Sequence, residues 1–285
     1  MAMHGSEQSP DARAVGFVAA RSLGSPLDPT LRVTANFHPD RSSSGIPVLQ
    51  SMRQHGTYLS QFVTGTSNGG LTAFPGGDRW RWESTMFGGA YDNVDPVRRP
   101  IYGALNHRRS LIGGSPRFGS AHFRFTAELL RRTTFCYPDS CFEPGHFAVA
   151  GRFELLELLE RDEGKGRDPL DAYVEAHVHG AVRFDRDVEA LVLDPSYRGT
   201  QVEDQARLLQ CPLEWHDGFR LRVDVLRQYP DFRGPRYVEL GAALAEGGVL
   251  TPHILGRAAC TGRYEPQSLK RVWHYLAWLG TAQAQ

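Results

Sequence analysis

Apolar and polar residues alternate along Leu31–His38, a period-two pattern that predicts a strand stopped by Pro39. The same alternation recurs at Ser120–Phe125, and Tyr173–Val182 and Val188–Leu193 are strand-like as well. Apolar residues fall instead at helical spacing in Asp11–Arg21, Phe153–Arg161 and Gln267–Leu279. Ile46–His55 reads as a short helix closed by Gly56. Between Gly65 and Gly119 the pattern breaks into glycine, proline and aromatic residues, which reads as ligand-enclosing loops on a sheet. The expected fold is α+β. Residues 1–29 form a flexible or helical N-terminal segment, 30–200 a mixed α+β core, and 201–285 a helical C-terminal region packed on that core.

Composition narrows the class. The chain has 285 residues, 32 basic and 32 acidic, so no net charge draws it to nucleic acid or an anionic surface. No uncharged apolar run approaches the ~20 residues that span a bilayer, and no basic start precedes an apolar core, so a cytoplasmic protein without membrane contact is expected. Four cysteines without paired CxxC spacing form neither a disulfide framework nor a zinc knuckle.

Several short motifs carry candidate chemistry. Gly65-Thr66-Ser67-Asn68-Gly69 has the spacing of a nucleophile elbow, but the glycines and Pro75 that follow do not start a helix, so a polar turn is favoured. Glu175, His177 and His179 share one strand face and can hold a divalent metal with a further ligand, or simply be hydrogen-bonded side chains on a half-wet strand. The latter is favoured, and no metal site is assigned. Gly113–Gly119 can present amides to a phosphate beside Arg117, though it lacks the Walker spacing. Arg98, Arg99, Arg108 and Arg109 make a local basic patch, read as a solvated face before a pyrophosphate clamp. Trp80, Trp82, Phe87 and Tyr91 crowd among glycines, an arrangement that lets a flat ring approach backbone and stack.

The order Asn36-Phe37-His38, Phe87-Gly88-Gly89-Ala90-Tyr91, Tyr102 and Tyr173-Val174-Glu175 resembles the His–Tyr–Tyr–Glu signature of the diphtheria-toxin and poly(ADP-ribose) polymerase branch of the ADP-ribosyltransferases. Over nearly its whole length the chain is also similar to a bacterial family, domain of unknown function 3626. The runs NFHPDR, FGGAYD, RPIYGALN, GGSPRFGS and EAHVHGAVRF carry that likeness.

The transferase resemblance implies a split mixed β-sheet core with surrounding helices over residues 30–200, NAD as substrate, and a protein or nucleic-acid acceptor, or water. His38 would hold the ribose hydroxyls, and Tyr91 and Tyr102 would sandwich the nicotinamide. Phe87, Gly88, Gly89 and Arg117 would complete the cofactor pocket. Glu175 would stabilise the oxocarbenium ion, and His177 would act as general base on the acceptor. Tyr173 stands where the arginine-modifying toxins carry Gln or Glu, and Arg32 competes with His38 for the first-strand role. A metal-dependent hydrolase centred on Glu175, His177 and His179, or a non-catalytic nucleotide-binding module, are the competing classes.

Overall fold

The computed structural model describes residues 8–43, 45–64, 73–162, 166 and 168–281. Eight strands make the main sheet: β1 Val33–Phe37, β2 Ile101–Leu105, β3 Ala121–Phe125, β4 Thr133–Tyr137, β5 His146–Val149, β6 Glu175–Val178, β7 Val188–Leu193 and β8 Leu213–Trp215. Their order is β8-β7-β3-β1-β2-β6-β4-β5. All neighbours are antiparallel except β7 and β8, so the fold is mixed α+β as expected.

The alternation in the sequence gives the sheet two unlike faces. Val33, Ala35, Phe37, Phe123, Phe135, Ala176 and Val178 point into the large apolar core. Leu49 and Met52 of α2 (Val48–His55) and Leu155 and Leu159 of α4 (Leu155–Asp162) close that core. The register puts Thr34, Asn36, Tyr102, Thr134, Cys136, Glu175 and His177 on the opposite, polar face. Over the β6–β4 side this face is covered by Ala14 and Val18 of α1 (Pro10–Ala19), and by Met86, Phe87 and Tyr91 at the end of α3 (Asp78–Met86) and just beyond it.

The ladder between β1 and β2 is short. It pairs Val33 with Leu105 and Thr34 with Ala104 and stops there, while β1 stays paired to β3 as far as Phe37. The sheet therefore opens between two central strands, at the end where β1 delivers His38 and β2 begins.

Three readings change. The Gly65–Gly119 stretch contains α3, whose buried stripe is Arg79, Glu83 and Met86. Two charged residues on the inner face hide that helix from any apolar periodicity. The strand expected at Tyr173–Val182 is broken at Gly180, whose φ of 74° ends the extended run, and Val182–Arg183 pairs separately with Thr57–Tyr58. Residue 200 is not an edge of the core either, because β8 joins the sheet beyond it. The C-terminal region also holds α5 (Gln201–Arg207), α6 (Pro235–Leu244), α7 (Pro252–Cys260) and α8 (Pro266–Leu279), with one-turn Val223–Leu226 and a short antiparallel pair, Leu221–Arg222 with Val249–Leu250. The helices α6, α7 and α8 pack around their own core of Phe219, Leu226, Leu276 and Trp273. No helix among the described residues is long and apolar enough to cross a membrane.

Gly119 lets the 113–119 loop cross the end of β1. A Cβ there would lie 2.0 Å from the carbonyl carbon of Phe37. Gly119→Ala should therefore cost about 1–3 kcal/mol in urea denaturation, the usual cost of overpacking. An unchanged midpoint would mean that the loop moves freely from β1.

Candidate functional site

A cavity of about 510 Å³ opens at the split of the sheet, within the range of small-molecule sites. His38 forms one lip, Tyr102 and Glu175 the other, and Trp273 and Lys270 of α8 close the side. Arg117, Asp139 and Arg79 complete the polar lining. The C-terminal region is thus part of the site wall as well as a support. Trp273 packs edge-on to His38, ring centroids 4.8 Å apart, and its indole N–H donates to the carbonyls of Pro116 and Arg117 at 3.1 and 3.0 Å. Desolvation, with the charges of Arg41 and Lys270, lowers the His38 pKa far below its ordinary value, so the ring is neutral and can exchange hydrogen bonds with hydroxyls.

Glu175 opens β6 and is 5% exposed. Its Oε1 accepts from His177 Nε2 at 2.8 Å, and the Cys136 thiol donates to the same oxygen at 3.6 Å. Burial disfavours its charge, but the hydrogen bond and charge of His177, with Arg79 nearby, outweigh that and hold the carboxyl below its ordinary range. A chain of hydrogen bonds continues inward from His177. Its Nδ1 meets Thr134 Oγ1 at 3.2 Å, Thr134 meets His179 Nε2 at 2.9 Å, and His179 Nδ1 meets the Tyr91 hydroxyl at 2.8 Å. Tyr91 in turn donates to Asp11 Oδ1 at 3.1 Å.

The two carboxylate ends fix the direction of every link. Because Tyr91 gives its proton to Asp11, His179 Nδ1 must donate to Tyr91. Burial and the neighbouring charges of His177 and Arg132 lower the His179 pKa, so His179 is neutral and its Nε2 accepts from Thr134. Thr134 then accepts from His177 Nδ1, while His177 Nε2 donates to Glu175. His177 thus donates from both nitrogens, to Thr134 and to the Glu175 carboxylate. At 1% exposure, and with no proton vacancy, it cannot serve as the general base expected of it. Its Nε2 instead engages the Glu175 carboxylate through the 2.8 Å hydrogen bond.

The same chain bears on metal binding. Among the described residues, Cys136, Glu175 and His177 bring possible ligand atoms within 4.8 Å of one another. His179 is not in that group, and its nitrogens meet Thr134 and Tyr91 instead. Any metal reading therefore passes from His179 to Cys136, and must compete with the hydrogen bonds these atoms already make.

Behind Tyr102 lies a buried ion pair that no motif signalled. Tyr102 donates to Glu83 Oε1 at 2.9 Å, and Arg99 Nη1 meets Glu83 Oε2 at 2.6 Å with both side chains fully buried. Arg99 also donates to the Tyr91 carbonyl, at 2.9 Å. Trp80 and Phe62 cover its guanidinium, 3.6 and 4.4 Å from their ring centroids. Burial pushes the Glu83 carboxyl up to about 7 even so. The Arg79 guanidinium lies over the Tyr102 ring, 4.2 Å from its centroid, and the His177 ring meets that tyrosine edge-on at 5.0 Å.

The expected site residues therefore divide. His38, Tyr102, Arg117 and Glu175 meet at one cavity. Tyr91 and Phe87 do not line it: each is 1% exposed, and both pack against the ring of His179. Of the expected tyrosine pair, Tyr102 lines the cavity and Tyr91 does not. Gly88 and Gly89, at φ 58° and 71°, form the left-handed turn after α3, and a Cβ on Gly88 would strike the Phe17 ring at 2.6 Å. They shape that turn and are not at the cavity.

Arg117 is held by Asp171, with Asp168 at 3.8 Å. The amides of Gly114 and Ser115 donate to Thr34 and Asn36 side chains, so the 113–119 loop binds β1 rather than presenting those amides to a phosphate. Arg32 pairs with Glu189 at 2.6 Å, at the end of β1 remote from His38. The basic patch disperses, with Arg99 internal and Arg109 paired to Asp28 at 3.0 Å. Ser67 and its flanking glycines lie outside the described residues.

A model for a family described as a protein of unknown function, DUF3626, matches residues 32–160 and 154–277. The chain belongs to that family. The DUF3626 match spans both the sheet and the C-terminal helices, so both walls of the cavity fall inside it. No curated protein matches the chain.

Proposed function

We propose that this DUF3626 protein cleaves NAD at the nicotinamide–ribose bond and passes ADP-ribose to water or to a macromolecular acceptor. One observation carries the reading: the sheet opens between β1 and β2 so that His38, Tyr102 and Glu175 face one cavity in the order the transferase resemblance requires. The split sheet is the architecture that resemblance implies.

The chemistry suits these groups. Nicotinamide leaves a pyridinium as a neutral molecule, so no strong acid is needed at the leaving group. The ribose gains oxocarbenium charge as the bond breaks, and the preorganised Glu175 carboxylate stabilises it. His177 holds that carboxylate charged and oriented. Neutral His38 hydrogen-bonds the ribose hydroxyls, and Tyr102, oriented by Glu83, is the one tyrosine of the expected pair that touches the ligand. Tyr91 acts from behind, through His179.

Trp273 at the cavity wall gives a direct test of binding. NAD should change the tryptophan emission of the wild-type chain saturably, and Trp273→Phe should remove most of that change. If NAD at millimolar concentration changes neither the emission nor the heat measured by titration calorimetry, the cavity does not take NAD.

A further inference from the structure

We propose that Asp139 is the general base of this cavity, taking the proton of the water or acceptor hydroxyl that attacks the ribose. The proposal rests on the NAD reading above and adds the group that reading leaves unassigned. Transfer needs a proton acceptor beside the reacting carbon. Glu175 must stay charged for the oxocarbenium ion, and His177 has no vacant nitrogen. Among the described residues three carboxyl groups line the cavity: Asp139, Asp171 and Glu175. Asp171 is bound to Arg117. Among the described residues no cation stands within ion-pair distance of Asp139.

Asp139 is nevertheless held firmly. Its Oδ1 accepts the Cys141 amide at 2.8 Å, and its Oδ2 accepts the hydroxyl of Tyr173, itself 2% exposed. Tyr173 occupies the position two residues before Glu175, so one short segment delivers the stabilising carboxylate and the residue that orients the base. The groups facing Asp139 are Glu175, Arg79, Tyr173 and Cys141. Burial and then the Glu175 charge push its carboxyl up to about 7, offset in part by the Cys141 hydrogen bonds and Arg79. A base with that value is matched to neutral pH.

In the hydrolytic case the water oxygen bonds to the anomeric ribose carbon as the carbon–nitrogen bond breaks. The bonding pair leaves on nicotinamide, and the water proton passes to Asp139, which releases it to solvent.

The test measures nicotinamide release from NAD against pH for the wild type, Asp139→Asn and Tyr173→Phe. The wild-type rate should rise through about pH 7, as Asp139 deprotonates. Asp139→Asn should lose that limb and fall by about 10²–10⁴, the usual worth of general-base catalysis. Azide, a nucleophile with no proton to lose, should restore its rate. Tyr173→Phe should move the limb to higher pH, because the carboxylate loses a donor, and lower the plateau rate far less than Asp139→Asn does. Should Asp139→Asn misfold, the Tyr173→Phe shift decides alone. An unmoved profile in both variants overturns the base while leaving NAD cleavage intact. A wild type that releases no nicotinamide overturns the NAD reading itself, and the base with it.

Discussion

Replacing Arg99 with alanine should destabilise the protein by about 3–5 kcal/mol, the cost of stranding one member of a buried ion pair. Arg99 and Glu83 meet at 2.6 Å with neither side chain exposed. Without the guanidinium, Glu83 must either stay charged in a dry interior or take up a proton. The loss also removes packing against Trp80 and Phe62 and the donor to the Tyr91 carbonyl. Urea denaturation of Arg99→Ala beside Arg99→Met with Glu83→Gln separates the terms, since the paired replacement removes the charge of both partners together. The double variant should recover much of the loss. If Arg99→Ala shifts the midpoint by less than about 1 kcal/mol, water reaches Glu83 and the pair is not dry.

Glu175→Gln should lower NAD turnover by at least about 10², the scale of losing one preorganised electrostatic partner in the transition state. Binding should survive, because His38, Tyr102 and Trp273 are untouched. A metal site would answer differently: Cys136→Ser would then abolish activity together with bound metal, whereas the NAD reading expects only a modest effect from the thiol.

Much of the sheet was legible, because period-two alternation separates Val33, Ala35 and Phe37 from Thr34 and Asn36 without any knowledge of partners. The same alternation put Glu175 and His177 on one face. What escaped were features in which polar groups occupy inner positions. The α3 stripe of Arg79 and Glu83 carries charge where periodicity looks for leucine, so the helix and the Arg99 pair behind it were invisible together. The aromatic cluster was read as a ligand platform. Trp80 instead covers Arg99, while Phe87 and Tyr91 cover the histidines. Asp139 carried no motif at all, since a single aspartate in a loop is unremarkable until the fold brings it to the cavity of Glu175. The His177 role failed for a related reason. Strand spacing shows which face a side chain takes, but the number of protons it holds depends on the hydrogen-bond chain through Thr134 and His179.

The proposed cleavage of the nicotinamide–ribose bond by the Glu175 carboxylate is read by incubating wild type and Glu175→Gln with NAD, each with and without a chelator, and quantifying free nicotinamide. The wild type should release nicotinamide at a rate the chelator does not affect, and Glu175→Gln at no more than about one hundredth of that rate. Equal rates in the two proteins, or release that stops when metal is removed, would contradict it.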